Sequence, residues 1–240
     1  MSNLYTEEEN TWVAMISNCR ITNTQIEWAR KSYHDKLKAE GRESEYDLNY
    51  IPTFKEIVLA CNAQNPPFDL WFRESTEQQQ QFFNDAIDEE KDPPLAYSQW
   101  KIVGIYDDND NSGFYAVAIE TGEYTSNGVE NGIIFSTRGT EPTTKEQYFL
   151  DLVYTDANII NSDITAQEVK MYEYLDGEFA TLIQQKGYSN LATVGHSLGG
   201  YLAFSAAAHI VNEEGYAADI FMQGTNIDGP GVTEENLEAN

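Results

Sequence analysis

Leu191-Ala192-Thr193-Val194-Gly195-His196-Ser197-Leu198-Gly199-Gly200 decides how the rest of this chain is read. Leu191–Val194 is a short apolar run with the form of a buried strand. Leu198 to Val211 is rich in alanine (Ala203, Ala206, Ala207, Ala208) and reads as a helix. Between them stands a G-x-S-x-G pattern at 195–199, extended by Gly200. The short pattern recurs by chance, but between a strand and a helix it has the setting of a nucleophile elbow. A sharp turn there forces Ser197 into a strained backbone conformation, and the flanking glycines remove side chains that would collide. The serine hydroxyl then stands clear of the sheet at the positive end of the helix dipole. The backbone N–H of Leu198 points to the same spot and can hold a developing oxyanion.

Working outward, Ile133-Ile134-Phe135-Ser136-Thr137-Arg138-Gly139-Thr140 is a buried strand (Gly132–Thr137) ending in Arg-Gly-Thr. In this chain order the loop after that strand lies beside the elbow, where Thr140 offers a backbone N–H and a hydroxyl as the other oxyanion donor. Trp100–Tyr106 and Phe114–Glu120 are strand-like, joined by the polar loop Asp107–Gly113. A long helix is expected at about 165–186, opened by the capping box Thr165-Ala166-Gln167-Glu168 and stopped at Gly187. A last apolar strand is expected near Asp219–Met222. Strands alternating with helices imply an α/β fold, a mainly parallel sheet with helices on both faces.

Residues 1–95 read as a helical region preceding that core, which spans 96–240. Thr24-Gln25-Ile26-Glu27 is a capping box followed by apolar residues at helical spacing, with Gly41 as a stop. Thr53-Phe54-Lys55-Glu56 opens a second helix and Ser75-Thr76-Glu77-Gln78 a third, before Asp92-Pro93-Pro94 punctuates the chain. The aromatic pairs Trp71-Phe72 and Phe82-Phe83 read as core by default.

Forty acidic against fourteen basic residues give a formal charge of −26. Such a field repels nucleic acid, so DNA or RNA binding is not expected. No apolar run reaches the 18 residues or more of a membrane span, and the N-terminus lacks a secretory signal. The expectation is a cytoplasmic protein, or one secreted by a signal-peptide-independent route. Cys19 and Cys61 have no metal-binding spacing and read as inert thiols. Asp108-Asn109-Asp110-Asn111-Ser112-Gly113 is like half a calcium loop, but Ile119 stands where a bidentate Glu is needed. No metal or cofactor is expected.

Gly195–Gly200 and Phe135 to Thr140 resemble the G-H-S-L-G-G and F-x-R-G-[ST] segments of class 3 lipases. The resemblance covers roughly 97–232 and implies a serine hydrolase acting on carboxylic esters, with lipid or phospholipid acyl esters as substrate. It implies Ser197 as nucleophile, Thr140 and Leu198 as the oxyanion hole, and Glu141 to Tyr148 as a lid-like segment. Phe149-Leu150-Asp151-Leu152 is similar to the family's acidic segment, which makes Asp151 a structural acid. Residues 1–95 match no part of that pattern.

The chain departs from the pattern in one respect. A serine needs a base, and the base an acid, in the chain order Ser, Asp or Glu, His. No histidine follows His209. His196 adjoins the nucleophile and should point away from it, and His209 lies about 18 Å along the elbow helix at 1.5 Å per residue. His34 sits in the helical region. Asp228 reads as a turn residue and is the best local acid. The core is therefore expected to be incomplete at its C-terminus, with a longer chain or a second chain supplying Asp and His. An apolar edge strand at Ala218–Met222 fits that expectation. Two alternatives come from other classes: a catalytically incomplete pseudoenzyme that serves as a binding module, and the lipase domain of a secreted antibacterial effector.

Overall fold

A computed structural model describes residues 4–64, 77–92, 94–139, 164–213 and 215–230. Its centre is a five-stranded sheet of β1 (Lys101–Asp108), β2 (Phe114–Glu120), β3 (Gly132–Thr137), β4 (Asn190–His196) and β5 (Phe221–Ile227), ordered β1-β2-β3-β4-β5. β1–β2 and β2–β3 pair antiparallel, whereas β3–β4 and β4–β5 pair parallel. The sheet is thus mixed, where strand–helix alternation leads one to expect a mainly parallel one. The reason is local. The hairpin loop after β1 and the helix-free link 121–131 after β2 turn the chain straight back, while parallel pairs need long crossovers.

Both faces of the sheet are covered, and the period-2 alternation of the strands assigns the residues. Tyr115, Val117, Ile119, Ile134, Ala192 and Val194 face a layer of N-terminal helices. That layer contains α1 (Glu7–Asn18), α3 (Phe54–Asn62), α4 (Glu77–Ile87) and α5 (Ala96–Gln99), with α2 (Asn23–Ala39) packed on α3. Phe114, Ala116, Ala118, Ile133, Phe135 and Leu191 face the other layer. It holds α6 (Ala166–Tyr174), a π-helical turn (Leu175–Phe179), α7 (Ala180–Lys186), α8 (Leu198–Asn212) and α9 (Tyr216–Ile220). The N-terminal helical region and the strands therefore share one core.

Two expected elements shift. The cap of α2 is Thr22, whose amide donates to Gln25 Oε1 at 2.6 Å, and the box at Thr24 and Glu27 is not the one used. Arg20 at φ 44° turns the chain just before, which starts the helix two residues early. The last strand is β5 at Phe221–Ile227, not Asp219–Met222, because Gly215 starts α9 and takes Asp219 into it. Among the described residues β5 is the terminal strand of the sheet, and it carries the polar residues Gln223, Thr225 and Asn226. Elsewhere the punctuation is as expected. Gly41 at φ 73° closes α2, with Arg42 N–H on Leu37 O at 2.8 Å and Gly41 N–H on Lys38 O. Thr53 and Thr165 cap α3 and α6 with Glu56 and Glu168. Residues 75 and 76 of the third box, and Trp71-Phe72, lie outside the described residues.

α1 is tied down by a buried carboxylate. Glu9 Oε2 accepts the amide (2.8 Å) and hydroxyl (3.0 Å) of Thr6, and Oε1 accepts the amide of Ser126 at 2.6 Å. Removing it strands these donors, so Glu9→Ala is expected to cost about 2–4 kcal/mol in denaturant unfolding. A loss under about 0.5 kcal/mol, the range of ordinary surface changes, would contradict this tether.

Burial also makes the fold sensitive to alkali. It pushes the Cys61 thiol up to about 12, and the Tyr5 phenol likewise to about 12. The unfolded chain loses these protons first, so the contribution of these two groups to stability is full below about pH 8 and is lost as pH rises through the window above roughly 9. Cys61 is accordingly expected to resist iodoacetamide at pH 8 until the protein is unfolded, as mass spectrometry of the alkylated chain would report.

Candidate active site

The turn between β4 and α8 holds Ser197 at φ 57° and ψ −131°, a non-glycine residue on the sterically costly side of backbone space. Ser197 N–H donates to Ile227 O at 2.9 Å, and Gly200 N–H donates to Ser197 O at 2.8 Å. Glycines make the turn sterically feasible. A Cβ on Gly195 would overlap the carbonyl of Gly199, and one on Gly199 would stand 2.5 Å from Thr137 O and 2.7 Å from Gly139 N. Thr137 Oγ1 donates to Gly199 O at 2.6 Å and staples β3 to the start of α8.

The loop after β3 does lie beside the elbow, because a Cβ on Gly139 would be 2.8 Å from His196 O and 3.4 Å from Ser197 Cβ. Arg138 is buried behind it, donates to Asn109 Oδ1 at 2.6 Å, and lies 4.9 Å above the Tyr115 ring. Thr140, the lid-like segment Glu141 to Tyr148, and Asp151 with its neighbours lie outside the described residues. Leu198 is the first residue of α8, so helix geometry gives its amide no partner within the helix.

Asp228 sits in a turn at φ 52° with an exposed side chain, in keeping with its reading as a turn residue. The residue that shapes this loop is Asn226, which the sequence does not single out. Its Oδ1 accepts Gly229 N–H at 2.8 Å and its Nδ2 donates to Pro230 O at 2.9 Å. Gly200 leaves no room for a Cβ beside Asn226, nor Gly229 beside the carbonyl of Ser197. The spacing Asn226-x-x-Gly229 is the sequence signal for such a side-chain-closed turn.

None of the three histidines hydrogen-bonds to Ser197 among the described residues. Strand alternation turns Thr193 toward α8, where its hydroxyl donates to Ala203 O at 2.8 Å, and turns His196 toward α1. His209 bonds Asp176 Oδ1 through Nε2 at 2.8 Å and stacks on Tyr172, ring centroids 4.3 Å apart. His34 lies on α2, its Nε2 3.6 Å from Glu43 and its ring against Tyr46.

His196 instead lines a cavity of about 760 Å³ at the carboxyl ends of β4 and β5, shared with Trp12, Met15, Phe82, Tyr97 and Ile227. The calcium-like loop is a closed hairpin turn. Asp108 O accepts the amides of Asn111 and Ser112, and bonds from these residues hold the Asp108 carboxyl below the usual carboxylate range. Among the described residues no cluster of His, Cys, Asp or Glu is arranged to hold a metal, and no helix is long and apolar enough to cross a membrane. Comparison of the chain with family models, with curated proteins and with solved structures finds no match.

Proposed function

We propose that this protein is a serine hydrolase of carboxylic esters, of the α/β-hydrolase type similar to class 3 lipases, with lipid or phospholipid acyl esters as its substrates. The observation that carries the reading is the backbone of Ser197, held at φ 57° between a parallel strand and a helix. Such strain costs on the order of 1–3 kcal/mol and persists where the surroundings over-determine it, above all at functional sites. In this reading Ser197 Oγ attacks the acyl carbonyl, the alcohol leaves, and water then releases the acyl group from the serine. The amides of Leu198 and Thr140 hold the oxyanion. No base stands beside Ser197 in this reading, since none of His34, His196 and His209 hydrogen-bonds to it among the described residues.

That same placement of the histidines favours a second reading, a binding module without turnover. One assay separates the two. Added imidazole supplies the missing base, so Ser197-dependent hydrolysis of p-nitrophenyl butyrate is expected to rise with imidazole concentration. Identical rates for the protein and Ser197→Ala at every imidazole concentration would leave the binding module standing.

A further inference from the structure

The cavity beside the elbow is lined mostly by residues that precede the lipase-like stretch, joined by Tyr97, His196 and Ile227 from within it. Its walls are α1 and α4 with the approach to α5, and its floor is His196 and Ile227, the last residues of β4 and β5. The carboxyl ends of parallel strands are where α/β sheets take their ligands. A volume of about 760 Å³ is that of a small-molecule site and exceeds packing voids by far. Its walls are aromatic. Phe82 stacks on Tyr97 at 4.3 Å, and Trp12 meets Tyr97 at 4.9 Å.

Charge at the mouth narrows the ligand. Glu8 and Asp85 both border the cavity, with Lys91 as its one cationic residue among the described ones. Lys91 Nζ is already 2.9 Å from Asp85 Oδ1, whereas Glu8 is exposed and forms no ion pair among the described residues. The whole chain adds a formal charge of −26. An anionic head group at this mouth would meet repulsion at short and long range, while a neutral or cationic one would not. Aromatic walls add attraction for an alkylammonium group.

We propose that this cavity receives the apolar part of an amphiphile whose polar end is uncharged or cationic. Building on the reading of Ser197, that amphiphile is the ester it attacks. The test is calorimetric titration of the 240-residue chain with decanol below its solubility limit, and with decyltrimethylammonium and decanoate below their micelle concentrations. Decanol and decyltrimethylammonium are expected to bind, decanoate at least about tenfold more weakly.

Thr11 is exposed at the mouth, so Thr11→Trp should plug it and weaken the first two by about tenfold. Glu8→Lys should invert the preference between decyltrimethylammonium and decanoate, a change that a misfolded protein would not produce. Decyltrimethylammonium should also compete with p-nitrophenyl butyrate in the imidazole assay. Equal binding of all three ligands, or binding indifferent to both substitutions, overturns the proposal. If Ser197 hydrolyses the ester and none of the three binds, only the cavity proposal falls. If the amphiphiles bind in the stated order and Ser197→Ala changes no rate, the reading of Ser197 falls instead.

Discussion

Gly199→Ala is expected to abolish the folded state of the elbow and most of the stability of the protein with it. The added methyl would stand 2.5 Å from Thr137 O and 2.7 Å from both Arg138 C and Gly139 N. All three are backbone atoms, so no side chain can swing away, and the collision lies where β3, the 138–139 loop and α8 meet. Overpacking of movable side chains costs roughly 1–3 kcal/mol, and a clash of the new methyl with fixed backbone costs more than about 3 kcal/mol. Against a total stability of order 5–15 kcal/mol for a domain, the variant should unfold at much lower denaturant or fail to accumulate. Gly177→Ala is the control. It lies in the π-helical turn with nothing within 4 Å of the new methyl and should gain about 0.5–1 kcal/mol. Urea unfolding of the two variants side by side checks the account. Equal stabilities would mean that the elbow is not packed as described.

Ser197→Ala and Ser197→Gly should separate chemistry from strain. Both remove the hydroxyl, and both are expected to lose the imidazole-dependent part of the hydrolysis. Their stabilities should differ. Alanine keeps the cost of φ 57°, whereas glycine adopts it freely. Strain of about 1–3 kcal/mol is relieved in the glycine variant, against roughly 0.5–1 kcal/mol of added freedom in its unfolded chain. Ser197→Gly should therefore unfold at higher denaturant than Ser197→Ala. The reverse order would mean that the positive φ is not a stored cost, and that the backbone of Ser197 says nothing about function.

Local signals were the legible ones. β2 and β3 are readable to the residue because each is a continuous apolar run between turn residues, covered on both faces. The elbow is readable because three glycines and a strand–helix junction constrain it within a few residues. The cap of α2 is misplaced by two residues because Thr22 and Thr24 compete, and only the turn at Arg20 and the burial of Gln25 decide between them. β5 is misplaced because Ile220 and Phe221 are apolar for different reasons, one buried from a helix and the other opening a strand. The antiparallel half of the sheet follows from connection lengths more than from the strands themselves. The cavity under α1 was out of reach, since it joins residues 8–18 to 196 and 227 and no short-range pattern links them. The direction of His196, by contrast, follows from alternation along β4.

The most direct test of Ser197 as nucleophile is covalent. The protein should be treated with a fluorophosphonate in the presence of imidazole, digested, and the adduct located by mass spectrometry, with Ser197→Ala alongside. The account predicts a single phosphonylated peptide containing Gly195-His196-Ser197, absent from the variant. A folded protein that takes up no label at Ser197, or that labels equally well after Ser197→Ala, would contradict it.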